Sequence, residues 1–102
     1  MRRAEVRLHD QLAGYLEEDA DRRCRFAYAP GYAGPPVSLT MPVQAQPYEF
    51  PGFPPFFDGL LPEGVMLEGL LRVRKLDRRD TFGQLVAVGD DLIGAVTVRE
   101  AS

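Results

Sequence analysis

The sequence predicts an α+β domain, a curved, barrel-like antiparallel sheet of about five strands with two short helices in its C-terminal half. Three observations carry this prediction. Residues 4–28 alternate apolar and polar in short runs, all nine prolines gather between Pro30 and Pro62, and the apolar spacing becomes helical only after Pro62. At 102 residues the chain makes a single domain, residues 1–102, long enough to bury a core without disulfides. A composition of 45% hydrophobic and 26% charged residues is ordinary for a globular protein.

The elements follow in order. Ala4, Val6 and Leu8 face one side and Arg3, Glu5 and Arg7 the other, the pattern of a strand with one wet face. His9-Asp10-Gln11 makes a tight connection. Residues 12–16 continue in the same period, with Gly14 where a side chain is unwelcome, so the two runs form a hairpin. Residues 17–22 are a polar turn and residues 23–28 a third, half-buried strand. The proline-rich window that follows also holds Tyr32, Val37, Leu39, Met41, Val43, Tyr48, Phe50, Phe53, Phe56 and Phe57, apolar surface that a disordered linker lacks. It reads as an ordered excursion with one strand at residues 37–40 and a second, short one at residues 48–50, both placed at sheet edges or ends by the prolines.

Pro54 and Pro55 favour an extended approach, while Pro62 at a first helical position followed by Glu63 suits a helix start. Met66, Leu67, Leu70, Leu71 and Val73 or Arg74 then form an apolar stripe, weakened slightly by Gly64 and Gly69. Asp80 reads as the N-cap of a second helix that runs through Phe82, Leu85 and Val86 to Gly89 as its C′ residue. Asp90-Asp91 turns the chain into a last strand, residues 93–99, and Arg99-Glu100-Ala101-Ser102 reads as a polar natural end.

Several function classes are weighed down by the same residues. A net charge of −3 argues against direct nucleic-acid binding through counterion release. No apolar run approaches the ~18 residues of a membrane span, and no apolar segment follows the basic Met1-Arg2-Arg3, so cytoplasmic residence without a membrane is expected. Cys24 alternates with Phe26 and Tyr28 and reads as a reduced core cysteine in preference to a redox sensor. His9, the single histidine, reads as a solvated turn residue in preference to half of a His-Asp catalytic pair. Asp58 and Glu63 are read as capping carboxylates before an acid/base or metal pair, and Asp90 and Asp91 as turn residues. The cluster Arg72, Arg74, Lys75, Arg78 and Arg79 reads as a solvated helix terminus, ahead of a partner-protein contact and of DNA backbone. No cofactor and no metal are expected.

The most informative stretch is Pro54-Pro55-Phe56-Phe57-Asp58-Gly59-Leu60-Leu61-Pro62-Glu63-Gly64, where prolines and rings leave little conformational freedom and much apolar surface. It resembles the PFFDNLLPEG signature in the N-terminal subdomain of HipA-type serine/threonine kinases, the toxins of bacterial toxin–antitoxin modules. Val37-Ser38-Leu39-Thr40-Met41-Pro42-Val43 resembles that family's LSLSLPL, and Asp80-Thr81-Phe82-Gly83-Gln84-Leu85 leads to Gly89-Asp90-Asp91-Leu92 in matching order. Gly59 departs from the family's common Asn, and Leu92 from its frequent Cys.

The resemblance covers nearly the whole chain but none of a kinase's catalytic machinery: no Gly-rich phosphate loop is present, and Lys75 is the single lysine. A non-enzymatic role is therefore expected, with no catalytic residue. In three-gene (HipBST-type) modules a short protein of this kind accompanies a shortened HipA-like (HipT-type) kinase and a helix-turn-helix HipB-type DNA-binding protein. The resemblance implies an antitoxin that binds and inhibits the kinase, with Phe56, Phe57, Asp58, Leu61, Pro62, Glu63, Val65, Met66 and Glu68 as interface candidates. The alternatives are a structural subunit that completes or activates the kinase fold, a fragment of a full-length HipA-type kinase, and an unrelated enzyme or ligand-binding module using Asp58 and Glu63.

Overall fold

The N-terminal alternation folds into a hairpin. The computed structural model describes residues 1–92 and 94–101. Strand β1 (Arg2–Leu8) pairs antiparallel with β2 (Gln11–Glu18) across a two-residue loop, His9-Asp10, whose φ angles are 51° and 65°. Positive φ at both loop residues is the type I′ geometry whose twist matches the flanking strands. The pairing slips once: Val6 faces Gly14 but Arg7 faces Leu12, leaving Ala13 as an extra residue in β2. This bulge turns Ala13 into the core and leaves Leu12 half-buried, which breaks the uniform period expected along residues 12–16. Gly14 is needed where it stands, since a Cβ there would lie 2.3 Å from the Ala27 carbonyl oxygen.

In the next turn the Asp19 carboxylate accepts the backbone N–H groups of Asp21 (2.8 Å) and Arg23 (3.0 Å) and aims the chain into β3 (Cys24–Tyr28). β4 (Tyr48–Phe50) joins β3, and β5 (Val96–Glu100) returns to β1, giving the antiparallel order β4-β3-β2-β1-β5. The sheet is open. The barrel-like closure expected from sequence does not occur, because β4 is a three-residue edge set between Pro47 and Pro51, and proline offers no N–H to extend a ladder. Ile93, expected to begin the last strand, and Ser102 lie outside the described residues.

No strand forms at residues 37–40. The N–H of Met41 donates to the Ser38 carbonyl (3.1 Å), closing a turn with a single bridge, and prolines at 35, 36 and 42 remove the donors a ladder would use. Side chains hold the excursion instead. The buried Tyr28 hydroxyl donates to the Met41 carbonyl (2.5 Å) and accepts the Val37 N–H (3.1 Å), and Tyr32 stacks on Tyr28 at 5.6 Å. Val37 and Met41 are thereby pressed into the core. We expect Tyr28→Phe to cost about 2 kcal/mol, since it orphans a buried donor and a buried acceptor together. Urea unfolding, with hydrogen exchange at the Val37 amide, measures it.

Three helices follow, where two were expected: α1 (Pro55–Asp58), α2 (Gly64–Arg74) and α3 (Thr81–Ala87). Pro54 and Pro55 are expected to favour an extended approach, but proline is also suited to N1, and Pro55 opens the single turn α1 with Pro54 as its N-cap. Phe57 from α1, Phe82 and Leu85 from α3, and Val37 and Met41 cover the inner sheet face formed by Ala4, Val6, Leu16, Cys24, Phe26, Val96 and Val98. The outer face is wet and self-neutralised, with cross-strand pairs Arg3–Glu17 (3.5 Å) and Arg25–Glu49 (2.9 Å) and the Arg3 guanidinium 3.8 Å over the Tyr15 ring.

Asp80 is the N-cap of α3, accepting the Gly83 N–H at 3.0 Å, and also an anchor for the N-terminus through Arg2 at 2.6 Å. Arg2 lies 4.8 Å over the Phe82 ring as well and reaches Glu18 at 3.3 Å. Burial pushes the Asp80 carboxyl up, but the Arg2 hydrogen bond, the Gly83 N–H and the Arg2 and Arg22 charges outweigh it and hold it below its usual range. A carboxyl lowered by folding contributes stability that is complete at neutral pH and is lost as the pH falls through the folded-state value. We expect the melting temperature of Asp80→Asn, which keeps a capping oxygen but no charge, to change less than wild type between pH 7 and acid.

Gly89, expected as a left-handed C′ residue, does follow the C-cap Val88, but its φ is not positive. Its lack of a side chain serves close packing: a Cβ would meet the Val98 carbonyl oxygen at 1.7 Å, and the Gly89 carbonyl accepts the Val98 N–H at 3.0 Å.

Candidate partner-binding site

The motif residues divide between core and surface. Phe57 has no exposed surface; its ring packs 5.8 Å from Phe26 and 5.0 Å from the half-buried Phe56. It therefore positions the segment from beneath. Asp58 is exposed, and its main-chain carbonyl receives the Leu61 N–H at 3.2 Å.

The helix starts later than expected. Pro62 precedes it, Glu63 occupies the N-cap position with an extended backbone and no capping side-chain hydrogen bond, and Gly64 opens α2 at φ 59°. A positive φ there suits only glycine well, so the turn is fixed by Gly64 and not by Pro62. The capping role read into Glu63 is thus not performed. Among the described residues, no three His, Cys, Asp or Glu side chains are grouped to hold a metal ion.

α2 buries none of its side chains fully. The apolar stripe expected to face inward is only partly covered: Leu67, Leu70 and Leu71 are half-buried, while Met66 and Val73 are 74% and 78% exposed and Val65 is 88% exposed. The physical reason is that α1, α3 and the excursion already cover the sheet, leaving α2 no inner face to fill. Beside α2 runs an open groove of about 610 Å³ lined by Leu60, Leu61, Pro62, Met66, Gly69, Leu70, Val73, Val88 and Leu92, with Glu63, Arg74 and Asp91 at its polar positions. Leu61, Pro62, Glu63 and Met66 from the sequence-based candidates meet here, whereas Phe56, Phe57, Asp58, Val65 and Glu68 do not line it. Sequence reasoning did not find Gly69, Val88 and Leu92; a glycine in the middle of an exposed helix was the available signal.

Some of the charged groups nearby are paired. Glu68 pairs with Arg78, Arg74 donates to the Ala87 carbonyl (3.4 Å), and Arg22 to the Arg79 carbonyl (3.4 Å). Lys75 is the left-handed C-cap of α2, and the buried Gln84 amide donates to the carbonyls of Asp77 and Arg78 at 3.1 and 2.9 Å. Of the basic cluster, Arg74 and Arg78 are thus tied to neighbouring groups, while the side chains of Arg72, Lys75 and Arg79 are exposed. Away from this region Cys24 is buried, and its thiol is pushed up to about 11 by burial, helped by Glu18 and Asp19, so little thiolate exists at neutral pH. No helix among the described residues is long and apolar enough to cross a membrane.

This architecture has relatives. A protein of Haemophilus influenzae described as uncharacterized is 33% identical over 100 residues, an alignment covering 98% of this chain and 93% of that protein. A solved structure described as the N-terminal domain of HipA toxin superposes with a TM-score of 0.78 at 29% identity, covering 100% of this chain and 94% of the other. The family model for the HipA N-terminal domain matches residues 4–99, nearly the whole chain, and with the PFFDGLLPEG segment folded as α1 and the entry to α2, the chain belongs to the HipA N-terminal domain family.

Proposed function

We propose that the chain is a non-enzymatic, HipS-type antitoxin subunit that binds and inhibits a HipA-like (HipT-type) serine/threonine kinase in the cytoplasm. The observation that carries this reading is an apolar helix face, Val65, Met66 and Val73, left uncovered beside the family's signature segment. Exposed apolar residues grouped on one helix are a recurrent mark of a protein interface. The mechanism is occlusion: the start of α2 presses on the kinase N-lobe and disfavours its closed, nucleotide-competent arrangement. A stable contact of this kind buries more than ~1,000 Å² in total. In such a complex a HipB-type helix-turn-helix protein supplies the DNA contacts, consistent with the acidic charge of this chain.

The test is phosphoryl transfer by a HipA-like kinase that lacks its own copy of this domain, titrated with the purified chain. Inhibition saturating at a fixed stoichiometry is the expected result; binding without loss of activity, or no binding, refutes the reading. Met66→Asp should weaken binding at least tenfold at unchanged melting temperature, because this side chain is mostly in solvent. The second reading, a subunit that completes the kinase, is favoured by the description of the similar solved structure as a domain of the HipA toxin itself. A gain of activity on adding the chain selects it.

A further inference from the structure

We infer that the free chain pairs with a second copy of itself through α2, the two helices crossing antiparallel at Gly69. Val65, Gly69 and Val73 recur every fourth residue, which places them in one row on the helix surface, the row that packs into its equivalent on a facing helix. Val65 and Val73 are 88% and 78% exposed, so the row is uncovered in the monomer. Gly69 stands at the centre of Gly64–Arg74, and among the described residues no atom outside the helix's own backbone lies within 4 Å of the position its Cβ would take. Nothing among the described residues requires a glycine there, and glycine weakens a helix interior relative to alanine. A backbone passing close to Gly69 from outside would require it.

The row is also self-complementary. A twofold axis at Gly69 brings Val65 opposite Val73 of the second copy and Gly69 opposite Gly69. It also brings Glu63 at the start of α2 opposite Lys75, one turn from Arg72, at the end of the other helix. Glu63, Arg72 and Lys75 form no ion pair among the described residues, so each is available to an opposite charge. Antiparallel packing also opposes the two helix dipoles favourably. This is the isologous arrangement expected of a twofold dimer. Each α2 is only about 16 Å long, so the shared surface is small and the dimer is weak and readily displaced. The inference concerns the free chain and stands apart from kinase inhibition; if both hold, self-pairing and kinase binding compete for one face.

Sedimentation equilibrium of the chain alone, from about 10 µM to about 1 mM, tests it without any kinase. The expected result is an average mass that rises with concentration from 11.4 kDa toward twice that value. Gly69→Trp, in open space and checked for folding by circular dichroism, should weaken the association at least tenfold. Glu63→Lys should weaken it also, and combining Glu63→Lys with Arg72→Glu and Lys75→Glu should restore it. A monomeric mass at ~1 mM, or a dimer indifferent to both Gly69→Trp and the charge reversals, overturns the inference, whatever the kinase assays give.

Discussion

Phe57→Ala should remove about 3–5 kcal/mol of stability, enough to leave the domain largely unfolded at 37 °C if its total lies near the low end of the ordinary range. Phe57 has no exposed surface, and its ring joins the one-turn helix α1 to the sheet through Phe26, with Phe56 packed edge-on against it. Removing the ring leaves a cavity between α1 and the sheet, and α1 is too short to collapse independently into it. The chain immediately after α1 forms one wall of the groove beside α2, so the same change should loosen the candidate interface before the sheet melts. Chemical unfolding gives the total loss, and hydrogen exchange resolves its order. A loss below about 1 kcal/mol would mean that the signature segment is not anchored by this ring.

Gly89→Ala should cost about 3 kcal/mol, roughly 15 °C in melting temperature for a domain of this size. A Cβ at this position would stand 1.7 Å from the Val98 carbonyl oxygen and 2.7 Å from its carbon, both main-chain atoms of β5. Relief requires α3 and β5 to separate, which breaks the hydrogen bond from Val98 N–H to the Gly89 carbonyl. Gly52→Ala is the control, since among the described residues its Cβ would meet nothing within 4 Å and its φ is not positive. Equal melting temperatures for the two variants would remove close packing as the reason for Gly89.

These two positions also mark what could be read from sequence. Strand alternation placed Ala4, Val6, Leu8, Phe26 and Tyr28 on the inner face because a half-buried sheet writes its burial into every second residue. Asp80 was legible as an N-cap, since capping is local chemistry. The bulge at Ala13 was not, because register depends on the partner strand. Pro54-Pro55 suits both an extended segment and a helix start, and only packing of Phe57 selects the helix. At the site, the signature pointed to a stretch of chain of which Leu61, Pro62, Glu63 and Met66 line the groove beside α2. The exposure of Met66 and Val73 could not be foreseen, because helical periodicity identifies an apolar face without saying whether the domain itself covers it.

The central claim is that the uncovered face of α2 is completed by a partner kinase. Hydrogen exchange of the chain, alone at low micromolar concentration and saturated with a HipA-like kinase lacking this domain, tests it most directly. The account predicts new protection concentrated in Gly64–Arg74 and the Leu60–Glu63 approach, with the charged outer face of the sheet unchanged. Protection confined to that outer face, or none anywhere, would contradict it.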